Sequence, residues 1–424
     1  MALTLAARDR EMLEGAHGPA ARLAMRIVSR MAEVYGADEL MDVVGAHIDG
    51  SIYQGEASLE FAETLAGMGG TVVVPTSLNI GSLDEFHWQD WQGISPEFAD
   101  KSRRVMDAYL KMGCQPTWTC APYQAGVRPG LGQHVVWAES NAIVFANSVL
   151  GARTNRYGDY LDICAALVGR APRSGLHLDE HRRGQLLLRL DGVPEALLAD
   201  DSLFPVLGYL TGQLAGERVP VIEGLLSTTT EDQLKALGAA AASAGAVAMF
   251  HAVGVTPEAP TLEAAFGGVQ PSEVHRLGLA ELRLGRAQLS TSLDDRLDLV
   301  ILGSPHFSLP EFRRLIPRLV GARRHPEVQF IVTTGRYLLG ELDREGLRPV
   351  LDAFGVRLMT DTCILNFPTV QNDRSVTTCM TNSGKYAHYI PGQIGKQVMY
   401  GSTADCVSSA IAGRVVRDDA LWND

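Results

Sequence analysis

DRLDLVILGSPHFSLPEFRRLIPRLV, residues 295–320, decides the fold. Its LDLVIL segment is a short apolar run, which suits a strand buried on both faces of a sheet. Gly303 and Pro305 break that run in the GSPHF loop. Ser308-Leu-Pro-Glu311 then has the Ser-x-x-Glu form that caps a helix start, with a proline where a missing N–H costs least. Strand, loop and helix make half of a βαβ unit. VQFIVTTG (328–335) and VRLMTDTCILNF (356–367) supply two more strands around a helix at about 338–353. The order βαβαβ predicts a parallel sheet and an α/β fold.

The same grammar runs upstream. VPVIEGL (219–225), a helix at 230–242 and AVAMFHAVGV (246–255) read as a βαβ unit, and a segment at 203–216 reads as a helix. The Pro/Gly loop GVTPEAPTLEAAFGG marks a boundary. Residues 6–35 read as two helices, with Pro19 near the start of the second. LMDVVGAHID (40–49) reads as a buried strand that runs into the GSIYQGEAS turn. TVVVPTSLNIGSLDE repeats the pattern after a helix over about 58–68. In open α/β sheets ligands sit at the carboxyl ends of strands, where such polar loops gather. An ordinary βα turn has the same composition, so each loop alone is weak evidence. The expected lobes are 1–215, 216–290 and 291–424.

The stretch Gly113–Arg156, GCQPTWTCAPYQAGVRPGLGQHVVWAESNAIVFANSVLGARTNR, is the expected centre of the site. It follows an amphipathic helix over 96–112. Cys120 ends a short β-prone run, a Pro/Gly loop follows, and a helix starts near Glu139. Glu139, Ser140, Asn141, Asn147 and Asn155 stand among Val, Ile, Phe, Ala and Leu. Buried polar groups of this kind need each other or a ligand. Two further features have bland readings. Cys164, on a helix within 158–172, reads as a core thiol. His177, Asp179, Glu180 and His181 are metal ligands by type, but a solvated turn with ion pairs explains them as well. VTTCMTNSGKYAHYIPG (376–392) reads as a polar strand and loop, and GSTADCVSSAIAGR as a capped helix.

Composition excludes several functions. The formal charge is −12, and Lys and Arg form no basic block. Nucleic-acid binding needs a concentrated positive face, so it is not expected. No apolar run reaches the roughly 18–20 residues that span a bilayer. The N-terminus lacks the basic-then-apolar order of a signal peptide, which predicts a cytoplasmic protein. The six cysteines are scattered without a CxxC pair, against a disulfide framework or a zinc knuckle. There is no GxSxG elbow, Walker A loop, HExxH or framed GxGxxG.

Longer stretches carry a resemblance. AHIDGSIY, PTSLN, TWTCAPY, GQHVVWAESNAIVFANSVLGARTNR, GRAPRSGLHL, DLVILGSPHFSL, MTDTC and TNSGKYAHY resemble the large subunit of aconitase X, a branch of the aconitase superfamily. The resemblance covers nearly the whole chain. It implies an aconitase-like fold of several parallel-sheet lobes around a cleft, and an iron–sulfur hydro-lyase. The family dehydrates cis-3-hydroxy-L-proline or a phosphorylated mevalonate. It also implies a small swivelling domain, fused or separate. No such domain is obvious before Asp424, so a separate small partner subunit is expected.

Carried over by position, Cys120 in TWTC and Cys363 in TDTC are the expected cluster thiolates. Where the archaeal pattern has a further cysteine, this chain has Ser304, a poor substitute for a thiolate. Cys379 or Cys406 is then the third candidate, with Cys379 preferred, and a cluster of fewer irons than aconitase's four, such as two, is implied. Gly50, Ser51 and Ile52 match one substrate loop, Asn79 a second, and Ser383 and Lys385 a third. Glu139 and Ser140 stand at a helix start, where N–H groups favour a carboxylate. Dehydration needs a base, a Lewis acid for the leaving hydroxyl, and donors for the enolate. Ser51 is the expected base with Glu139 as competitor, and Lys385 the counter-ion of the substrate carboxylate. cis-3-Hydroxy-L-proline is the favoured substrate, because the loops hold few cations for a phosphate. A cluster-binding sensor or scaffold subunit is the reading of another class.

Overall fold

The computed structural model describes residues 3–423. Two compact units divide the chain. One runs through Trp88 and resumes at Ser95–Arg183; the other holds Gln89–Ile94 and Gly184–Asp424.

In the first unit the order is α1 (Ala7–Glu14), α2 (Pro19–Val34), β1 (Leu40–Asp42), β2 (Ala46–Ile48), α3 (Glu56–Gly67), β3 (Thr76–Leu78), α4 (Pro96–Lys111), β4 (Val136–Trp137), α5 (Ser140–Ser148), α6 (Leu161–Val168) and β5 (Arg170–Pro172). Strands β3, β2 and β4 form a parallel sheet in that spatial order, with Ile48 opposite Leu78 and Ala46 opposite Val136. All residues of β2 and β3 are buried, as expected of a sheet covered on both faces.

Two expectations change here. The run 40–49 is two strands in different sheets, because β1 pairs antiparallel with β5, Leu40 opposite Pro172. The valines before β3 are not strand. Pro75 has no N–H to donate to a ladder. The Val72 and Val73 N–H groups instead donate to the Met112 and Ala166 carbonyls, 2.9 Å each.

The second unit continues with β6 (Leu186–Leu190), α7 (Glu195–Leu198), α8 (Leu203–Ala215), β7 (Pro220–Glu223), α9 (Glu231–Ala244), β8 (His251–Ala252), α10 (Leu262–Ala265), β9 (Val274–Leu277) and α11 (Leu279–Gln288). These strands form a parallel sheet in the order β8-β7-β6-β9. Residues 186–215 therefore lie with this sheet and not with the first lobe. Leu188 pairs with Ile222 and His275, and α8 packs on α9. The helices approach closely at Gly208, where a Cβ would fall 2.1 Å from the Leu237 carbonyl oxygen.

The chain ends with β10 (Leu299–Leu302), α12 (Leu309–Leu319), β11 (Gln329–Thr334), α13 (Leu339–Arg344), α14 (Arg348–Phe354), β12 (Arg357–Thr360), α15 (Thr369–Asn372), β13 (Thr378–Thr381), α16 (Gly384–Tyr389), β14 (Gln397–Tyr400) and α17 (Thr403–Ala412). Five parallel strands stand in the order β12-β11-β10-β13-β14. Val300, Leu302, Phe312, Leu315, Phe330, Phe354 and Met380 pack one continuous core beside them. The Ser308 capping box forms as its spacing predicts, with the Ser308 hydroxyl accepting from the Glu311 N–H. The expected strand over 356–367 stops at Thr360, where Asp361 takes a φ of 63° and turns the chain. The polar segment 376–392 is a strand followed by a short helix.

Candidate functional site

In the first unit the loops after β2 and β3 and the start of α5 gather at the carboxyl edge of one sheet. Residues 115–119 run alongside β3, with the Gln115 N–H on the Thr76 carbonyl and the Thr119 N–H on the Leu78 carbonyl. Cys120 therefore emerges at the same edge.

Glu139 is the N-cap of α5. Its Oε2 accepts from the Ala142 N–H at 2.9 Å and from the Asn141 side-chain amide. Asn141 also donates to the Cys120 carbonyl at 2.8 Å and accepts from the Tyr123 hydroxyl at 2.8 Å. The polar residues of α5 thus bind one another and fix the loop that carries the thiol. Ser140 donates to Glu139 at 3.3 Å. Asn147 lies further along and holds the Thr154 backbone through its N–H and carbonyl.

Ser51 is fully buried and donates to the Ile80 carbonyl at 3.2 Å, so this hydroxyl ties the first loop to the second. Asn79 donates from Nδ2 to Asp49. Asn79 is 1% exposed and its Oδ1 has no partner. Asp162, at the second position of α6, accepts the Asp49 N–H at 2.7 Å, the Gly50 N–H at 3.5 Å and the Ile163 N–H at 2.6 Å. This carboxylate sets the backbone of the 49–51 loop.

Carboxylates crowd this edge. Burial raises Asp49 well above the carboxylate range, and the charges of Asp159 and Glu139 push the same way. Burial also raises Asp159, and takes Asp162 up to about 7 against its N–H donors. His47, on β2, is held neutral by burial, its value lowered to about 3, and its Nδ1 meets the Ser77 hydroxyl at 2.8 Å. Asp49, Asp159 and Asp162 were missed from sequence. The signal for Asp49 was its place between the β2 run and Gly50; Asp162 read as one residue of an ordinary helix.

In the second unit Ser304, Ser383 and Cys363 stand on loops at carboxyl ends of the five-stranded sheet. Ser383 caps α16, accepting from the Tyr386 N–H at 3.1 Å and donating to the Ser304 carbonyl. Lys385 lies half-buried in the first turn of α16. Cys363 follows the Asp361 turn, which Arg336 pins through its N–H at 3.0 Å and its guanidinium at 2.5 Å. His306, fully buried, joins the GSPHF loop to the Thr362 carbonyl at 3.1 Å. The Asn366 amide approaches the Cys363 sulfur at 3.7 Å. A cavity of about 340 Å³ opens beside Gly303, Ser304, Asn382, Ser383, Thr403 and Arg314.

The other sulfur candidates differ. Cys379 lies inside β13, opposite Leu299 and Val398, and burial pushes its thiol up to about 12. Cys406 is buried in the sheet's apolar core, and burial raises it as well. Cys379 is enclosed within the strand ladder and Cys406 within the apolar packing, positions that suit core thiols. In the 177–181 segment, His177 meets His134 at 3.0 Å and the Tyr157 hydroxyl at 2.6 Å, while Asp179 pairs with Arg153. Among the described residues no three His, Cys, Asp or Glu side chains group as a metal set, and no helix is long and apolar enough to cross a membrane.

Fold and site define an α/β protein with ligand-ready polar loops at the carboxyl ends of parallel sheets. The chain belongs to the aconitase X family. The family's first-domain model matches residues 2–180, its second 184–286 and its third 297–412. Among curated relatives, the cis-3-hydroxy-L-proline dehydratase of Pseudomonas aeruginosa is 48% identical over 99% of this chain and 72% of its own length. That of Hypocrea jecorina is 45% identical over 97% of this chain and 69% of its own. The phosphomevalonate dehydratase large subunit of Methanothermobacter thermautotrophicus is 38% identical over 92% of this chain and 95% of its own. The holo-form of Thermococcus kodakaraensis aconitase X superposes with a TM-score of 0.86 at 30% identity, covering 96% of this chain and all of that one.

Proposed function

We propose that the chain is a hydro-lyase that dehydrates cis-3-hydroxy-L-proline to a pyrroline-2-carboxylate. The observation that carries this choice is the acidic lining of the first unit's sheet edge. Asp49, Asp159 and Asp162 crowd there, with Glu139 near enough to act on Asp49. Such an edge suits a zwitterion, whose ring ammonium draws these carboxyls into their charged form, and it offers no cation to a doubly charged phosphate. The higher identity to the two cis-3-hydroxy-L-proline dehydratases supports the same choice over phosphomevalonate dehydration.

An iron–sulfur cofactor is part of the proposal. Cys120 and Cys363 would hold it: both stand on loops at carboxyl ends of strands, and the Asn366 amide beside the Cys363 sulfur favours a thiolate. Cys379 is assigned to the core because it lies fully buried within the β13 ladder. When bound, the cluster supplies a Lewis acid for the leaving hydroxyl.

The chain's own residues do the rest. Lys385, on the first turn of α16, is proposed to pair with the substrate carboxylate. The N–H groups of Ser51 and Ile52 orient the ring, while Asp162, which takes the Asp49 and Gly50 N–H groups, and the Ser51–Ile80 bond hold their loop. A proton leaves Cα, the hydroxyl leaves C3 as water, and the enamine product tautomerises to the imine. Glu139 is the better base of the two candidates. A carboxylate can take the proton, whereas the Ser51 hydroxyl donates to a neutral carbonyl that does nothing to activate it. A small partner polypeptide is also proposed, supported by the words "large subunit" in the name of the Methanothermobacter relative.

Anaerobic purification with iron and sulfide analysis, followed by turnover assays, tests this reading. Iron bound to the wild type, lost in Cys120→Ser and Cys363→Ser and kept in Cys379→Ser, is expected. Turnover of mevalonate 5-phosphate alone would reverse the substrate choice, and absence of iron after reconstitution would remove the hydro-lyase.

A further inference from the structure

We infer that Asp49, Asp159 and the side-chain oxygen of Asn79 form a subsite for a secondary ammonium, the ring nitrogen of a cyclic amino acid. The inference rests on the proposed function for its substrate. Its geometry stands on the first unit alone.

Three observations converge. Asn79 is almost fully buried, and its Nδ2 is committed to Asp49. Its Oδ1 is thereby left as an acceptor without a donor, at a position where burial makes such an atom costly. Asp49, half-buried, offers a carboxylate beside it, and Asp159, also half-buried, offers a second. Gln54 donates to Asp159 at 3.4 Å and steadies that carboxylate. Apart from the proton that Asp49 shares with Asp159, which an incoming cation would displace, every open group here is an acceptor. A ligand that satisfies them brings N–H donors and positive charge, and a pyrrolidine ammonium brings two N–H bonds at one nitrogen. The crowding is consistent with this. Burial holds both Asp49 and Asp159 above the usual carboxylate range, and at Asp49 the neighbouring carboxylates add to it, a strain that an incoming cation relieves. The backbone under Asp49 is itself fixed by Asp162 through the Asp49 N–H at 2.7 Å, so the carboxylate is aimed before substrate arrives.

The subsite would take the ring nitrogen and leave the substrate carboxylate to Lys385, as proposed above. It predicts discrimination at the nitrogen, which is a binding effect. The test compares cis-3-hydroxy-L-proline with its carbocyclic analogue, 2-hydroxycyclopentane-1-carboxylate, in the iron-loaded protein with its partner. Asp49→Asn is expected to raise KM for the amino acid about 100-fold while kcat changes less than about threefold, and to leave the Ki of the carbocycle unchanged. Asp159→Asn is expected to raise KM about tenfold and serves if Asp49→Asn fails to fold. Equal losses for the amino acid and the carbocycle would indicate general loosening and overturn the inference, as would an unchanged KM in both variants. If the wild type turns nothing over, the functional reading fails separately. Calorimetric binding of L-proline against cyclopentanecarboxylate then decides the subsite: selectivity for proline that Asp49→Asn abolishes supports it, and absence of selectivity overturns it.

Discussion

Gly50 has no room for a side chain. A Cβ there would fall 2.9 Å from the Tyr109 hydroxyl, which is buried beneath the loop. Gly50→Ala should therefore displace the loop that Asp162 and Ser51 hold. The expected result is a loss of about 1–3 kcal/mol in urea denaturation and at least a tenfold drop in kcat/KM. Asp162 makes a second prediction at this scale. Its folded value, about 7, lies above that of an unfolded aspartate, so the native state keeps a proton that the unfolded state has lost. Stability should then fall as pH rises from about 4 to 7, by as much as about 4 kcal/mol, and level off above. Urea denaturation of wild type and Asp162→Asn at pH 5 and 8 checks this: the variant should lose most of the difference. Individual site residues were partly legible. Loops rich in Gly, Ser and Asn announced Gly50, Ser51 and Asn79. A sequence shows a carboxylate, but it does not show that Asp49, Asp159 and Asp162 converge, because that depends on how α6 returns to β2.

Elements marked by local chemistry were the ones read well. The Ser308 and Ser402 capping boxes both form, each with the hydroxyl accepting from the N–H three residues on. Their signal is local, so tertiary structure has little to override. Strands were over-read at 70–75, 246–250 and 361–367, where apolar residues serve loops and helix ends instead. β9, β14 and α11 went unread, since β9 is largely exposed and its pattern HRL is charged. The start of α12 carries more than a cap. Lys235, 2% exposed in its side chain, meets Glu311 at 2.5 Å and Asp232 at 3.0 Å, joining α9 to α12. Removing one member leaves the others buried without compensation. Lys235→Ala should cost about 3–5 kcal/mol, whereas Ser308→Ala should cost about 1 kcal/mol, and thermal melts of the two variants would separate them. Equal losses would mean that the ion pairs add nothing beyond the cap.

For the whole molecule, periodicity and turn chemistry gave an α/β chain with parallel sheets, while the division between units at 183 and 184 was invisible to them. β6 looks like any apolar strand, and only its pairing with β7 and β9 assigns it to the second unit. The source of the proton acceptor is a question at this same scale. In the first unit the Glu139 carboxylate caps α5 with one oxygen, and Ser140 lies 3.3 Å from the other. A group so engaged can serve as a base only if the cap loosens in the reaction. A partner polypeptide is the other supplier. Turnover measured with and without that partner separates the two. If Glu139 is the base, Glu139→Gln should lower kcat at least 100-fold with the partner present, with iron content and KM little changed. A variant that keeps most of its kcat, in a protein inactive without its partner, would move the base to the partner and leave Glu139 the task its hydrogen bonds describe, holding Asn141 and through it the Cys120 loop.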